Sequence, residues 1–154
     1  MSSQPQNEDP ASPMRLIGQV TRTFARLVDA PLRELGFAIG QLPVLVTLKI
    51  TGALSQAELA RVAQVEQSSM AQLLNRMERD GLVKRVPDPA DGRSRLISLS
   101  GRASRQMPNG KRVMDEGCET ALKGFTAEER TQLLKLLLKI DGNLERALAN
   151  REPG

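Results

Sequence analysis

Two stretches of the 154-residue chain carry side chains able to act on a partner. The first, "QSSMAQLLNRMER" at 67–79, holds Gln67, Ser68, Ser69, Gln72, Asn75, Arg76 and Arg79 among four large apolar residues. Those four, Met70, Leu73, Leu74 and Met77, recur at i, i+3, i+4, i+7, so they share one helix face and the polar set takes the other. Small hydroxyls near a helix start permit close approach to a duplex, amides can read base edges, and arginines can meet phosphates. The second stretch, "DPADGRSRLISLS" at 88–100, sets Arg93 and Arg95 on a bend punctuated by Pro89 and Gly92 that feeds an alternating strand. Arginines at such a tip suit a narrow minor groove, whose negative potential attracts a guanidinium. Asp91, two residues before Arg93, is expected to orient that guanidinium; Arg95, farther into the strand, would meet phosphate or solvent.

The chemistry available elsewhere is narrow. With no histidine and one cysteine, the usual zinc sites and histidine-based acid/base or nucleophilic catalysis cannot be assembled. There is no glycine-rich phosphate loop either, so neither an enzyme nor a cofactor is expected. Charge is localised: residues 55–112 carry 11 Lys/Arg against 6 Asp/Glu, and this stretch contains both candidate segments. A concentrated positive region is the electrostatic footprint of a nucleic-acid binder, although charge alone fits a merely soluble basic surface as well. The start, "MSSQPQNEDPASP", is polar and proline-rich and reads as a disordered arm over 1–13, without the basic and apolar blocks of a signal peptide. No apolar run is long enough to span a bilayer, and a single cysteine cannot form an internal disulfide, so a cytoplasmic chain with no membrane partner is expected.

The elements that must hold the two segments can be read from local signals. "SQAE" at 55–58 has capping-box form, Ser55 and Glu58 satisfying each other's amides, and Leu59, Val62 and Ala63 continue a helix of about two turns. Ser55 is counted with the DNA-facing set. "QVEQS" breaks that helix without glycine or proline, and a second helix runs from about 67 to 80, closed by Gly81. Two short helices with a tight link read as a helix-turn-helix. "LVKRV" at 82–86 and "SRLISLS" at 94–100 then suit two strands of a hairpin, with Ile97 and Leu99 on one face and Ser98 on the other. A helix-turn-helix followed by an arginine-tipped hairpin is a winged helix-turn-helix.

The ends need their own partners. Ile17, Val20, Phe24 and Leu27 form a helical stripe over 14–36, in which Pro31 is expected to introduce a kink. Thr126 and Glu129 form a second capping box, followed by Leu133, Leu137, Ile140, Leu144 and Leu148 on one face and Leu134, Leu136 and Leu138 beside it. A terminal helix apolar on more than one side implies burial from two directions. An intrachain core would supply this; pairing with a second subunit also supplies the two-fold symmetry of a palindromic site. Ile17, Phe24, Leu133, Leu137, Ile140 and Leu144 are the expected dimerisation residues.

Over roughly residues 14–148 the chain resembles the MarR-type transcriptional regulators. "LRELGFAIGQLPVLVTL" is similar to that family's junction between its first helices, "LSQAELARVAQVEQSSMAQLLNRMERDGLVKRVPDPADGRSRLISLS" to its winged helix, Asp91-x-Arg93 to its wing D-x-R, and "FTAEERTQLLKLLLKIDGNL" to its last helix. The resemblance implies a mainly α fold with a small β-hairpin wing and N- and C-terminal dimerisation helices. The expected divisions are an arm (1–13), an N-terminal helix (14–36), the winged region (40–100), C-terminal helices (101–148) and a tail (149–154). It further implies a homodimeric repressor on double-stranded DNA with an inverted-repeat operator, released by a small-molecule effector held between the dimer helices and the winged domain. No ligand can be named; Arg15 or Arg22 could meet an anion but suit a solvated face better. The chain departs from the pattern after the wing, where Ala103 stands in place of glycine and "MPNG" intrudes, so Pro108 is expected to kink or break the following helix. Two alternatives remain: a winged-helix protein-interaction module without DNA, and a redox-responsive regulator acting through Cys118. The neighbouring Glu116 and Glu119 disfavour a reactive thiolate in the latter.

Overall fold

A computed structural model of the chain describes residues 12–151. In chain order it forms α1 (Pro13–Glu34), a single 3-10 turn (Ile39–Gln41), α2 (Leu42–Thr51), α3 (Gln56–Ala63), α4 (Gln67–Arg79), β1 (Val83–Pro87), β2 (Arg95–Leu99), α5 (Gly101–Ala121) and α6 (Ala127–Ala149). The segment expected to be a disordered arm lies, as far as residue 11, outside the described residues. The chain divides into two compact units, one ending at Gly117 and the other beginning at Cys118.

The first unit has one apolar core. Leu32 and Val28 of α1, Phe37, Leu45 of α2, Leu59 of α3, Met70, Leu74 and Met77 of α4, Leu82 and Ile97 are all essentially inaccessible to water. Each helix therefore contributes one stripe, as its 3.6-residue period requires. Gln41 is the buried polar side chain among the described residues, and both ends of its amide are satisfied: Oε1 accepts from Ala38 N at 2.9 Å and Nε2 donates to Asp80 Oδ2 at 3.2 Å. That pairing ties the α1–α2 junction to the end of α4.

The junctions within this unit are closed by backbone geometry. At the start of α3, Ser55 Oγ accepts from Glu58 N (3.1 Å) and Glu58 Oε2 accepts from Ser55 N (3.3 Å), the reciprocal box read from sequence. At its end Gln64 adopts φ 56°, a left-handed conformation uncommon outside glycine. Bonds from Gln64 N to Arg61 O and from Val65 N to Ala60 O then seal the last turn. This is how "QVEQS" stops a helix with neither glycine nor proline. Helix α4 ends at Arg79, one residue earlier than expected; Asp80 is its cap and Gly81 follows at φ 74°. Leu82 N bonds Met77 O (2.9 Å) and Gly81 N bonds Glu78 O (3.0 Å), a Schellman closure.

β1 and β2 pair antiparallel, with Val83 opposite Leu99, Arg85 opposite Ile97 and Pro87 opposite Arg95. An isolated bridge between Leu54 and Ile97 adds a third partner, with Ile97 N to Leu54 O at 2.7 Å and Leu54 N to Ile97 O at 3.1 Å. The wing is thereby pinned to Leu54, just before the N-cap of α3. Ser100 joins the hairpin to the next helix: its N–H reaches Leu82 O, its hydroxyl donates to Gly81 O (2.7 Å) and accepts from Ala103 N (3.0 Å).

The expected break at Pro108 does not occur: α5 runs unbroken from Gly101 to Ala121, and α1 likewise continues through Pro31 to Glu34. Both prolines are exposed, so the carbonyls of Leu27 and Ser104, which lose their helical donors, lie on the solvent side. Meanwhile Ala103, Met107 and Gly110 anchor the opposite face of α5, and a Cβ on Gly110 would lie 3.1 Å from the Phe37 ring. Packing holds the helix on both sides of the missing bond.

In the second unit, Thr126 Oγ1 accepts from Glu129 N (3.1 Å) and Glu129 Oε1 accepts from Thr126 N (3.0 Å), again as read from sequence. Arg130 donates to both carboxylate oxygens of Glu119, at 2.9 and 3.1 Å, and these hydrogen bonds raise its pKa. Helix α6 has no buried residue; Leu133, Leu134, Leu136, Leu137, Leu138, Leu144 and Leu148 are all exposed.

Candidate nucleic-acid interface

On α4, burial of Met70, Leu74 and Met77 leaves Ser68, Ser69, Gln72, Asn75, Arg76 and Arg79 exposed on the outer face, with Gln67 exposed at the helix start. That start is steadied from α3, where Gln56 Nε2 donates to Gln67 O at 3.4 Å. Glu66, at the N-cap, places a carboxylate beside the positive end of the helix dipole. Ser55 differs from the rest of the expected set in that it is half-buried and its hydroxyl caps α3.

The wing turn is built by two aspartates. Asp88 Oδ1 accepts from Ala90 N at 2.9 Å, while Asp91 Oδ1 accepts from Arg93 N at 3.0 Å and its Oδ2 from the Ser94 hydroxyl at 3.1 Å. Asp88 N to Ser94 O closes the loop at 3.0 Å. Asp91 therefore holds the Arg93 backbone rather than its guanidinium, which corrects the expected side-chain pairing. The amide two residues ahead is the donor an aspartate reaches by local geometry, and it needs no ordering of a long side chain. Arg93 and Arg95 are both exposed, and neither guanidinium has a partner among the described residues.

Sequence reading missed Arg85. From β1, its Nε donates to Glu78 Oε2 at 3.0 Å and its Nη2 to Asn75 Oδ1 at 2.9 Å, so the wing strand grips α4 directly. The alternation in "LVKRV" was the available signal, since Arg85 shares the inward face with Val83. The electrostatic outcome is one-sided. Glu78, Asp88 and Asp91 are engaged within the protein, whereas Arg76, Arg79, Lys84, Arg93 and Arg95 have no protein partner among the described residues. Apart from the exposed Glu66 carboxylate at the N-cap, the surface of α4 and the wing thus presents cations and neutral amides outward, in the arrangement that meets phosphates and base edges.

The expected dimerisation residues separate into two groups. Leu133, Leu137 and Leu144 are exposed on α6, and Ile140 is half-buried. On α1, Ile17 and Phe24 are half-buried, and Phe24 packs against the core beside Gly117 of α5. The large apolar residues that α1 leaves exposed are Met14, Leu16, Val20 and Leu27. Arg15, Arg22 and Cys118 are exposed. No single helix among the described residues is long and apolar enough to cross a membrane.

A helix-turn-helix whose second helix is gripped by an adjoining two-stranded wing defines the winged helix-turn-helix class. Residues 35–94 match the MarR family. An uncharacterized HTH-type transcriptional regulator of Bacillus subtilis (strain 168), YybA, is 25% identical over 133 residues, covering 86% of this chain and 89% of that protein. The crystal structure of a mutant MarR from E. coli complexed with operator DNA is 26% identical and superposes with a TM-score of 0.74, over 82% of this chain and 91% of that one. The fold of a MarR protein from Peptoclostridium difficile superposes more completely, with a TM-score of 0.81 over 99% of this chain and 100% of that one at 20% identity. Over residues 35–94 the chain thus matches the MarR family, and over most of its length it is similar to winged-helix transcriptional regulators of that type.

Proposed function

We propose that the protein is a homodimeric, cytoplasmic repressor that binds an inverted-repeat DNA operator through α4 and the wing. The observation that carries this reading is the set of unpartnered cations on those two elements, where Glu78, Asp88 and Asp91 are engaged within the protein and Glu66 alone leaves an exposed carboxylate at the start of α4 among the described residues. In this reading Gln67, Ser68, Ser69, Gln72 and Asn75 face base edges in the major groove, Arg76 and Arg79 meet phosphates, Arg93 enters the adjacent minor groove and Arg95 contacts backbone. Asp91 positions Arg93 by fixing the turn. The operator complex of the E. coli relative supports the assignment of the partner. Two-fold symmetry of the operator follows if two chains pair through the uncovered apolar faces of α1 and α6.

Release by a small molecule needs only that the ligand bind the non-binding arrangement of the two heads more tightly than the binding one; its effect is limited to that difference. The test is binding to duplexes selected in vitro from a random pool, followed by fluorescence anisotropy over a salt series. Phosphate neutralisation should make log K fall steeply and linearly with log salt. Absence of any enriched duplex, with no salt-dependent binding, would overturn the reading in favour of a protein-interaction module.

A further inference from the structure

Arg85 stands where the inner face of the wing runs off the edge of the core. It pairs in register with buried Ile97 and lies two residues beyond buried Val83. Its guanidinium spans one turn of α4, donating through Nε to Glu78 and through Nη2 to Asn75. The side chain is 30% exposed, less than the 47% of Glu78. A guanidinium has five donors and no acceptor, so the amide it meets must turn its oxygen toward it. The Asn75 oxygen is therefore drawn to the wing. The exposed side chain is left to present its NH2 group, which has no partner among the described residues.

From this geometry we infer that Arg85 is a positioning residue for specificity: it fixes Asn75 as a hydrogen-bond donor toward DNA and joins wing and recognition helix into one reading head. The inference rests on the DNA-binding reading above and adds the chemistry of one position. An unconstrained asparagine recognises adenine by accepting from N6 and donating to N7. An asparagine whose oxygen is turned toward Arg85 presents its NH2 donors outward, which suits an acceptor edge, with the O6 and N7 of guanine the best match. Glu78 serves the same end, because it balances the Arg85 charge and keeps the guanidinium directed along α4 instead of toward phosphate.

The experiment uses the full chain and a duplex selected in vitro by the wild type. Arg85→Ala, Asn75→Ala and the double variant are titrated against that duplex and against a random-sequence duplex. Each single variant should lose about tenfold in affinity for the selected duplex, the scale of one charge-assisted hydrogen bond. The double variant should lose no more than either single one, because one acts through the other. Binding to the random duplex should change by no more than about twofold, and re-selection with Arg85→Ala should relax a guanine preference at one position. Additive losses, or equal losses on both duplexes, would show Arg85 to be a phosphate contact and overturn the inference. Arg85→Lys keeps the charge without the two-pronged reach and serves if the alanine variant does not fold. It should lose the base preference while keeping random-duplex affinity, and unchanged preference would overturn the inference. A wild-type chain that enriches no duplex overturns the DNA-binding reading itself; enrichment followed by additive losses removes this inference alone.

Discussion

Asp91 and Gln64 both act through the backbone. Because Asp91 holds the Arg93 N–H and the Ser94 hydroxyl, it shapes the loop from which Arg93 projects. Arg93→Ala should therefore weaken operator binding by about 1.5–3 kcal/mol, the range for a hydrogen bond to a charged group, with a larger loss where flanking A·T base pairs narrow the groove. Asp91→Ala should reproduce part of that loss although it removes a negative charge, and Arg95→Ala should cost less. Anisotropy titrations on operators with A·T or G·C flanks check all three; an Arg93→Ala protein that binds both like wild type would remove the wing from groove recognition. Gln64 holds a left-handed conformation that costs a non-glycine residue roughly 1–2 kcal/mol, part of which glycine returns through its freer unfolded chain. Gln64→Gly should raise stability by up to about 1 kcal/mol and Gln64→Val should lower it, both read as shifts in urea midpoint.

Among the elements, α5 shows how packing overrides local preference. Pro108 removes a donor in its interior, yet the helix persists because Met107 and Gly110 are anchored on the face opposite the exposed ring. Gly110 and Gly117 of α5 serve close approach, not flexibility. A Cβ on Gly117 would lie 2.8 Å from Val28 Cγ1 and 3.1 Å from Phe24 Cε2, and Val28 is 1% exposed, so it has no room to retreat. Alanine is favoured over glycine by about 0.8–1 kcal/mol in a helix, whereas overpacking costs about 1–3 kcal/mol. The overpacking term should win, and Gly117→Ala should lower the unfolding free energy by about 1 kcal/mol in a denaturant titration. A rise in stability would mean that α1 can yield, and that its spacing from α5 is not set by these two side chains.

For the whole molecule, the feature that calls for a partner is the uncovered apolar surface. Helix α6 has no buried residue along Ala127–Ala149, and α1 leaves Leu16, Val20 and Leu27 open. Helices so apolar on exposed faces are stable in water when another surface covers them. Leu137→Glu should place an unpaired carboxylate in the proposed subunit contact, at a cost of several kcal/mol. Light scattering should then give a monomer where the wild type gives a dimer, with operator binding lost. A variant that remains a dimer of wild-type affinity would remove α6 from the interface.

What could be read in advance follows from the range of each signal. The Met70, Leu74, Met77 stripe repeats within one helix, the Ser55–Glu58 and Thr126–Glu129 boxes close over three residues, and the alternation around Ile97 lies within one strand; each depends on neighbours in the chain. The helix-turn-helix, the wing and their outward amides and arginines were legible for that reason. Pro108 does not break α5, because its local rule is sound but weaker than the packing of Met107 and Gly110, which involves the Phe37 ring from a distant segment. Asp91 was placed beside the right residue and assigned the wrong atom, since spacing alone does not distinguish an arginine's backbone N–H from its guanidinium. The alternation in "LVKRV" gives the face of Arg85 but not its partners, and the Leu54–Ile97 bridge had no local signature. Both contacts arise where a strand folds back onto a helix or the segment before one, and only that return brings a guanidinium to Asn75 and decides which side of its amide remains free.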